Sequence, residues 1–298
     1  MNRFHLIPPM ILLLATPASV ETAQPRVKLG ENAALRYWSA FAQMQDSAVT
    51  AEQAKGLNLI LDGSAPYDDL KYKDLVEKNQ PALETMIRGT ALPNCDWGIE
   101  YALGPDAPVD YVRKALEMGR LNVLYVFHLL IVGDKDGAVR VLAAGVRFSH
   151  DVANGGTLFA TVVAKDLLAA HLRAMEFGLH VTGFSSAQKS ALQKALTQLG
   201  PEGLDWQSAV KRELGIFRVP FRTPEGVKEL DSQASAVLAE VVATYVAALN
   251  NPTLLPGLQE KIAGAPRPLP EIIPNPKRVL EEKQNLTEKI LQLHSLLQ

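Results

Sequence analysis

The side chains best equipped for chemistry cluster at Cys95-Asp96-Trp97, with Glu100 and Tyr101 close behind. A thiol, two carboxylates, an indole and a phenol on one irregular loop could line a binding cleft, because loops held on rigid scaffolds often carry function. A second reading has Trp97 and Tyr101 plugging the loop into the core while Asp96 caps backbone groups. Loop aromatics usually anchor in this way, which favours the second reading. Cys95 is the single cysteine, so no intramolecular disulfide can form. It has no defined histidine partner in the sequence, and a small buried side chain is the commoner fate of such a residue.

The histidines come next. His128, His150, His171 and His180 fall on, or at the ends of, three successive helical segments. Were adjacent helices to set His128 face to face with His171, they could hold a metal or provide a general base. No His-x-x-x-His or Glu-x-x-His ligand pair supports a metal, so neither a metal nor a cofactor is expected. Glu176 and His180 are spaced as an ordinary pair on one helix face. There is no Gly-x-Ser-x-Gly elbow, and Gly155-Gly156 lacks the strand and the Lys-Ser/Thr of a phosphate loop. Arg218 and Arg222 flank Val219-Pro-Phe and could grip an anion, although solvated loop arginines are commoner. No catalytic residues are assigned, and a non-catalytic role is favoured over an enzyme.

The elements that must position these residues are helical. Ala and Leu dominate, and alternating Val/Ile/Thr runs are nearly absent, so little or no sheet is expected. Helices are predicted over 31–44, with Ala34, Trp38, Phe41 and Ala42 as its apolar face, and over 50–61, capped by Thr50. Two more are predicted over 68–78 and 81–91, the second opened by Pro81. A proline- and glycine-rich connection covers 92–108. Long apolar helices at 109–132 and 157–181 bracket a third at 136–152, whose buried stripe is Ala138, Val141, Leu142, Gly145, Val146 and Ser149. Helices over 185–199 and 205–217 precede an extended loop at 217–224 and a last core helix over 224–249. Glu240 inside that helix argues against a membrane span.

A composition shift follows. Pro252, Pro256, Pro266, Pro268, Pro270, Pro274 and Pro276 favour an extended, semi-rigid tether. Beyond it, Val279, Lys283, Leu286, Ile290, Leu293 and Leu297 recur at alternating steps of four and three, giving a coiled-coil-like stripe. The helix over 277–298 either folds back on the main domain, the favoured reading, or offers a route to self-association.

The N-terminus has the layout of a secretory signal: Arg3, an apolar stretch from Leu6 to Ala15, then small residues around Pro17-Ala-Ser19. The stretch is about ten residues, roughly half of what a spanning helix needs, so membrane attachment would come only through an uncleaved signal. The divisions are therefore a signal peptide (1–23), an all-helical domain (24–250), a proline-rich linker (251–276) and an amphipathic helix (277–298). A periplasmic or secreted location is expected. With 30 basic against 32 acidic residues and no Lys/Arg block, nucleic acid is not expected as a partner.

Consecutive helices joined by short turns predict an all-α fold of irregular antiparallel hairpins, α-solenoid-like or bundled. The hairpin at Gly133-Asp134 resembles a tetratricopeptide-type unit, although no repeat of about 34 residues can be laid over the chain. Asn32-Ala-Ala-Leu-Arg-Tyr-Trp38 and Cys95-Asp-Trp-Gly-Ile-Glu-Tyr-Ala-Leu-Gly-Pro105 resemble a group of uncharacterised exported bacterial helical proteins. That resemblance spans roughly residues 30–220 and implies export and an all-helical fold, with no activity attached. Two functions follow. The favoured one is a protein–protein interaction or scaffold module with an envelope protein partner. The other is an envelope small-ligand carrier or hydrolase, with a pocket between the long apolar helices near His128 and His171.

Overall fold

Three consecutive helices carry the fold in a computed structural model that describes residues 29–45, 51–223 and 226–298. They are α4 (Tyr111–Ile131), α5 (Lys135–Ala153) and α6 (Leu158–Phe177), and each packs on the other two. Helix α4 is apolar almost all round and is correspondingly buried through Met118, Val123, Leu124 and Val126. Asp134 caps α5 by accepting from the Gly137 amide at 2.9 Å. The stop after α5 falls at Gly155, whose φ of +71° suits a residue without a Cβ. The predicted stripe from Ala138 to Ser149 is buried throughout.

On one side of this core lie α1 (Ala33–Gln43), α2 (Ala51–Leu61) and α3 (Asp69–Gly89). The expected Thr50 cap and the signal segment lie outside the described residues. The buried face of α1 is Ala33, Ala34, Tyr37, Ala40 and Phe41, so Trp38 and Ala42 do not face inward as expected. The helix turns Tyr37 to the core because its hydroxyl has a buried partner there. The two predicted helices over 68–91 are one, with Pro81 in its interior. Tyr72, Val76, Asn79, Leu83 and Met86 keep a single buried face through the proline. Pro81 itself is exposed, so water can satisfy the carbonyl that its missing N–H leaves free.

On the other side lie α7 (Ser186–Thr197), α8 (Trp206–Gly215), α9 (Ser232–Asn250), α10 (Leu255–Ala263), α11 (Leu269–Ile272) and α12 (Pro276–Leu297). A Ser185/Gln188 capping box opens α7. A small antiparallel hairpin, β1 (Phe221–Thr223) with β2 (Gly226–Lys228), replaces the first turns of the helix expected from residue 224. Helix α9 begins only where Asp231 accepts from the Ala234 amide at 2.7 Å. It is long and apolar enough to cross a membrane by length and composition. Ala236, Ala239, Ala243 and Ala247 on its solvent face supply much of that hydropathy, while Leu238, Val241 and Tyr245 are buried.

The proline-rich segment differs from the extended tether expected of it. It folds as α10 and α11, with Leu258, Leu269 and Ile273 buried. Pro256 and Pro270 fall in first helical turns, where a missing N–H costs nothing. Helix α12 then runs back across α6 and α7 and closes the helices into a bundle. Its stripe is buried as predicted, within the same chain. Lys283 sits in the seam because its ammonium donates to the Leu249 carbonyl at 2.7 Å and pairs with Glu202 at 2.8 Å. Lys165–Glu282, at 2.7 Å, and Lys289–Glu176 tie the same helix to α6.

Leu293 is fully buried in this seam. Leu293→Ala is expected to lower stability by about 2–5 kcal/mol in urea unfolding, as for other core leucines. A change below about 0.5 kcal/mol, the size usual for surface substitutions, would show that α12 is not part of the core.

Candidate functional site

The loop over 92–108 is fastened to one buried carboxylate, Asp151 near the end of α5. The side chain of Asp151 is fully buried. Its Oδ2 accepts from the Tyr37 hydroxyl at 2.6 Å, and its Oδ1 lies 3.0 Å from Arg147 Nε and 3.7 Å from His150 Nδ1. Its backbone carbonyl accepts from the indole N–H of Trp97 at 2.8 Å and from the Cys95 thiol at 3.7 Å. Burial, reinforced by the Asp151 charge, pushes both the Tyr37 phenol and the Cys95 thiol far up. Cys95 is therefore a protonated, buried thiol, the opposite of an activated nucleophile.

Aromatic stacking completes the anchor. Trp97 stacks on Tyr111 with centroids 4.1 Å apart, on Tyr37 at 5.7 Å and on Phe41 at 6.2 Å. Asn32 grips the loop backbone in both directions, donating to the Asp96 carbonyl and accepting from the Asp96 amide, each at 2.9 Å. The Asp96 carboxylate accepts from the Gly98 amide at 2.9 Å. The two segments that carry the sequence resemblance thus meet in space, Asn32 on Asp96 and Tyr37 on Trp97. Asp96 and Glu100 point to solvent. Of the four loop candidates, Tyr101 borders a cleft of about 130 Å³ that it shares with Gly104, Thr157, Phe159 and Glu213.

The two histidines are held apart by different partners. His128, near the end of α4, bonds through Nδ1 to Asp69 at 2.7 Å, and Asp69 also accepts from Tyr67 at 3.1 Å. His171 is fully buried where α4, α5 and α6 cross. Its Nδ1 lies 2.8 Å from the Leu167 carbonyl, and its Nε2 lies 3.0 Å from the Asn122 amide nitrogen. Nδ1 must then carry the proton, and Nε2 accepts from Asn122. The packing of α6 against α4 and α5 is tight at these points. A Cβ at Gly119 would stand 2.6 Å from Leu167, and one at Gly145 would stand 2.2 Å from the His171 ring.

Glu176 and His180 do not form the expected helical pair. Helix α6 loosens into a π-turn over Gly178–Thr182, which shifts the spacing, and Glu176 pairs with Lys289 instead. Arg218 is exposed, and Arg222 lies in β1 with its backbone opposite Val227.

Three features escaped the sequence reading. One is the Asp151 centre, whose only sequence signal is the Arg147/Asp151 spacing of four. Another is an exposed apolar end. The C-terminal turns of α4 and α6 leave Ile131 (53%), Val132 (57%), Phe177 (39%) and Val181 (64%) open to solvent. Phe127 meets Phe177 edge-on at 5.4 Å, and Lys135 donates to the carbonyls of Thr182 and Gly183, the latter at 2.9 Å, which holds the two turns together. The third is a set of clefts. One of about 390 Å³ runs along Leu158, Phe159, Val162, Pro274 and Val279, and one of about 310 Å³ lies between α5 and α7. His128 and His171 line none of the three clefts.

Fold and site together define an all-helical bundle organised on a buried carboxylate centre. Compared with known protein families, curated proteins and solved structures, the chain matches none.

Asp151→Ala is expected to cost about 3–5 kcal/mol in chemical denaturation, since it leaves Arg147 without its ion-pair partner and the Tyr37 hydroxyl without its buried acceptor. A pH effect follows from His171, whose pKa burial holds down at about 4, against 6.5 for a free imidazole. Between those values the unfolded chain takes up a proton that the folded chain refuses. Its contribution is thus complete above pH 6.5 and is lost as pH falls toward 4, by up to about 3 kcal/mol. Urea unfolding from pH 7 down to 4 should show this slope in the wild type. His171→Leu should flatten it, and an equal slope in the variant would exclude His171 as its source.

Proposed function

We propose that this protein is an exported, non-catalytic interaction module that binds an envelope protein through the apolar end of α4 and α6. The observation that carries this reading is the exposed group of Ile131, Val132, Phe177 and Val181. Isolated exposed apolar residues are ordinary, but a contiguous group marks a binding surface. These four sit at the ends of two helices, and those ends meet through the Phe127–Phe177 contact and the bonds from Lys135 to the Thr182 and Gly183 carbonyls. The π-turn supports the reading, because such turns recur at functional sites and this one presents Val181 outward. A partner segment with apolar side chains on one face, such as an amphipathic helix, is the complementary chemistry. Export rests on the layout of residues 1–23, and the envelope partner follows from it.

The supporting pattern for a non-catalytic role is the fate of the polar candidates. Cys95, Trp97 and His171 are spent on internal bonds, and Asp96 caps a backbone amide. A ligand-carrier reading draws on the apolar cleft beside Phe159 rather than on the α4/α6 interface.

Affinity capture from native envelope extract tests the proposal, with the full chain as bait beside Ile131→Asp and Val181→Asp. Both residues are more than half exposed, so neither substitution should shift the melting temperature by more than about 2 °C. The expected outcome is a partner retained by the wild type and lost by both variants. The same partner set on all three baits, or none on any, would sink the reading.

A further inference from the structure

We infer that the cleft between α5 and α7 is a binding site for a phosphate-type anion. Its wall carries three cations and no carboxylate: Arg140 and Arg147 from one face of α5, two turns apart, and Lys194 from α7. Thr90 and Gln198 add uncharged polar groups at its edge. Both arginines are clamped by acids that lie outside the cleft. Glu84 holds Arg140 through two bonds, at 2.9 and 2.7 Å, and Asp151 lies 3.0 Å from Arg147 Nε. With Arg147 Nη2 also 3.5 Å from the Pro93 carbonyl, these contacts engage neither Arg140 Nε nor Arg147 Nη1, on guanidinium planes that are already oriented. A pre-oriented guanidinium loses little freedom on binding an anion. Lys194 is exposed and, among the described residues, has no carboxylate within ion-pairing distance. With the two acids set against the three cations, one positive charge is left over at the cleft.

Size and lining narrow the ligand. A volume of about 310 Å³ is at the lower end for small-molecule sites. The remaining wall, with Ile87, Ala143 and Ala191, is apolar and shallow. A phosphoryl group carrying a short, weakly polar portion fits this chemistry, because its several oxygens can take donors from all three cations. The same chemistry is offered by a free phosphomonoester and by the headgroup of an anionic phospholipid. This site lies on the α5/α7 flank and does not depend on the apolar end of α4 and α6.

The test uses the full chain and two substitutions, Lys194→Gln and Arg140→Gln. Inorganic phosphate and glycerol 3-phosphate are titrated calorimetrically at low salt. Binding is also measured by co-sedimentation with phosphatidylcholine vesicles, with and without phosphatidylglycerol. The expected result is saturable binding that weakens about tenfold in Lys194→Gln and falls as salt is raised. The exposed Lys194 side chain makes no hydrogen bond or ion pair among the described residues, so that variant should melt with the wild type, and Arg140→Gln confirms the site from its other wall. Binding to the free phosphates alone assigns a soluble phosphomonoester, and binding to the phosphatidylglycerol vesicles assigns a lipid headgroup. No saturable binding to any of these probes, or equal binding by the wild type and both variants, would overturn the site.

Discussion

A carboxylate without access to water dictates much of this structure. Asp151 is a fully buried carboxylate, a group that is costly to take out of water unless it is bonded or paired. Tyr37 reaches it from α1, Arg147 from one turn back along α5, and Trp97 and Cys95 meet its backbone carbonyl from the loop. Three stretches far apart in sequence must therefore arrive together. The proline- and glycine-rich loop is long for a compact domain, yet it is ordered because it supplies two of those partners.

A second polar point does similar work for the central helices. Asn122, His171, Ser149 and the Gly145 carbonyl meet where α4, α5 and α6 cross. Apolar stripes alone would let such helices slide, whereas hydrogen bonds between buried polar groups fix one register. Gly145 is required there because the imidazole occupies the place of a side chain. Lys283 plays the corresponding part for α12, fixing the seam against the end of α9. Cys95, Trp97, His128 and His171, among the residues that first suggest chemistry, are in this way engaged in internal bonds. Among the surfaces left available are the apolar end of α4 and α6 and the cationic flank of α5 and α7.

The two surfaces differ in how they could be read from a sequence. Arg140 and Arg147 are seven apart on one helix, which a helical wheel shows, but Lys194 joins them only through the packing of α7 on α5. Ile131 and Val132 end an apolar helix and look like core residues in sequence. They are exposed because the chain turns at Gly133 before anything covers them. The helical spacing of Ala34, Trp38, Phe41 and Ala42 points Trp38 inward and leaves Tyr37 off that face. Their order is reversed by one tertiary bond, the phenol to Asp151.

The sequence by itself determined what local physics determines. Helix period, N-caps and glycine stops located α4 to α8, and the four-three spacing of Val279, Lys283, Leu286, Ile290, Leu293 and Leu297 marked the buried face of α12. It also supplied the loop candidates and the reason Trp97 should anchor. Tertiary structure decided the rest. It kept α3 continuous through Pro81, folded the prolines after residue 251 into first helical turns, and paired Lys283 with a distant carbonyl and carboxylate. It also sent Asp151 inward, against the usual preference of a carboxylate near a helix C-terminus for water. A local pattern shows which faces seek burial, but the cost of burying a charge or a polar group depends on partners that only the folded chain brings within bonding distance.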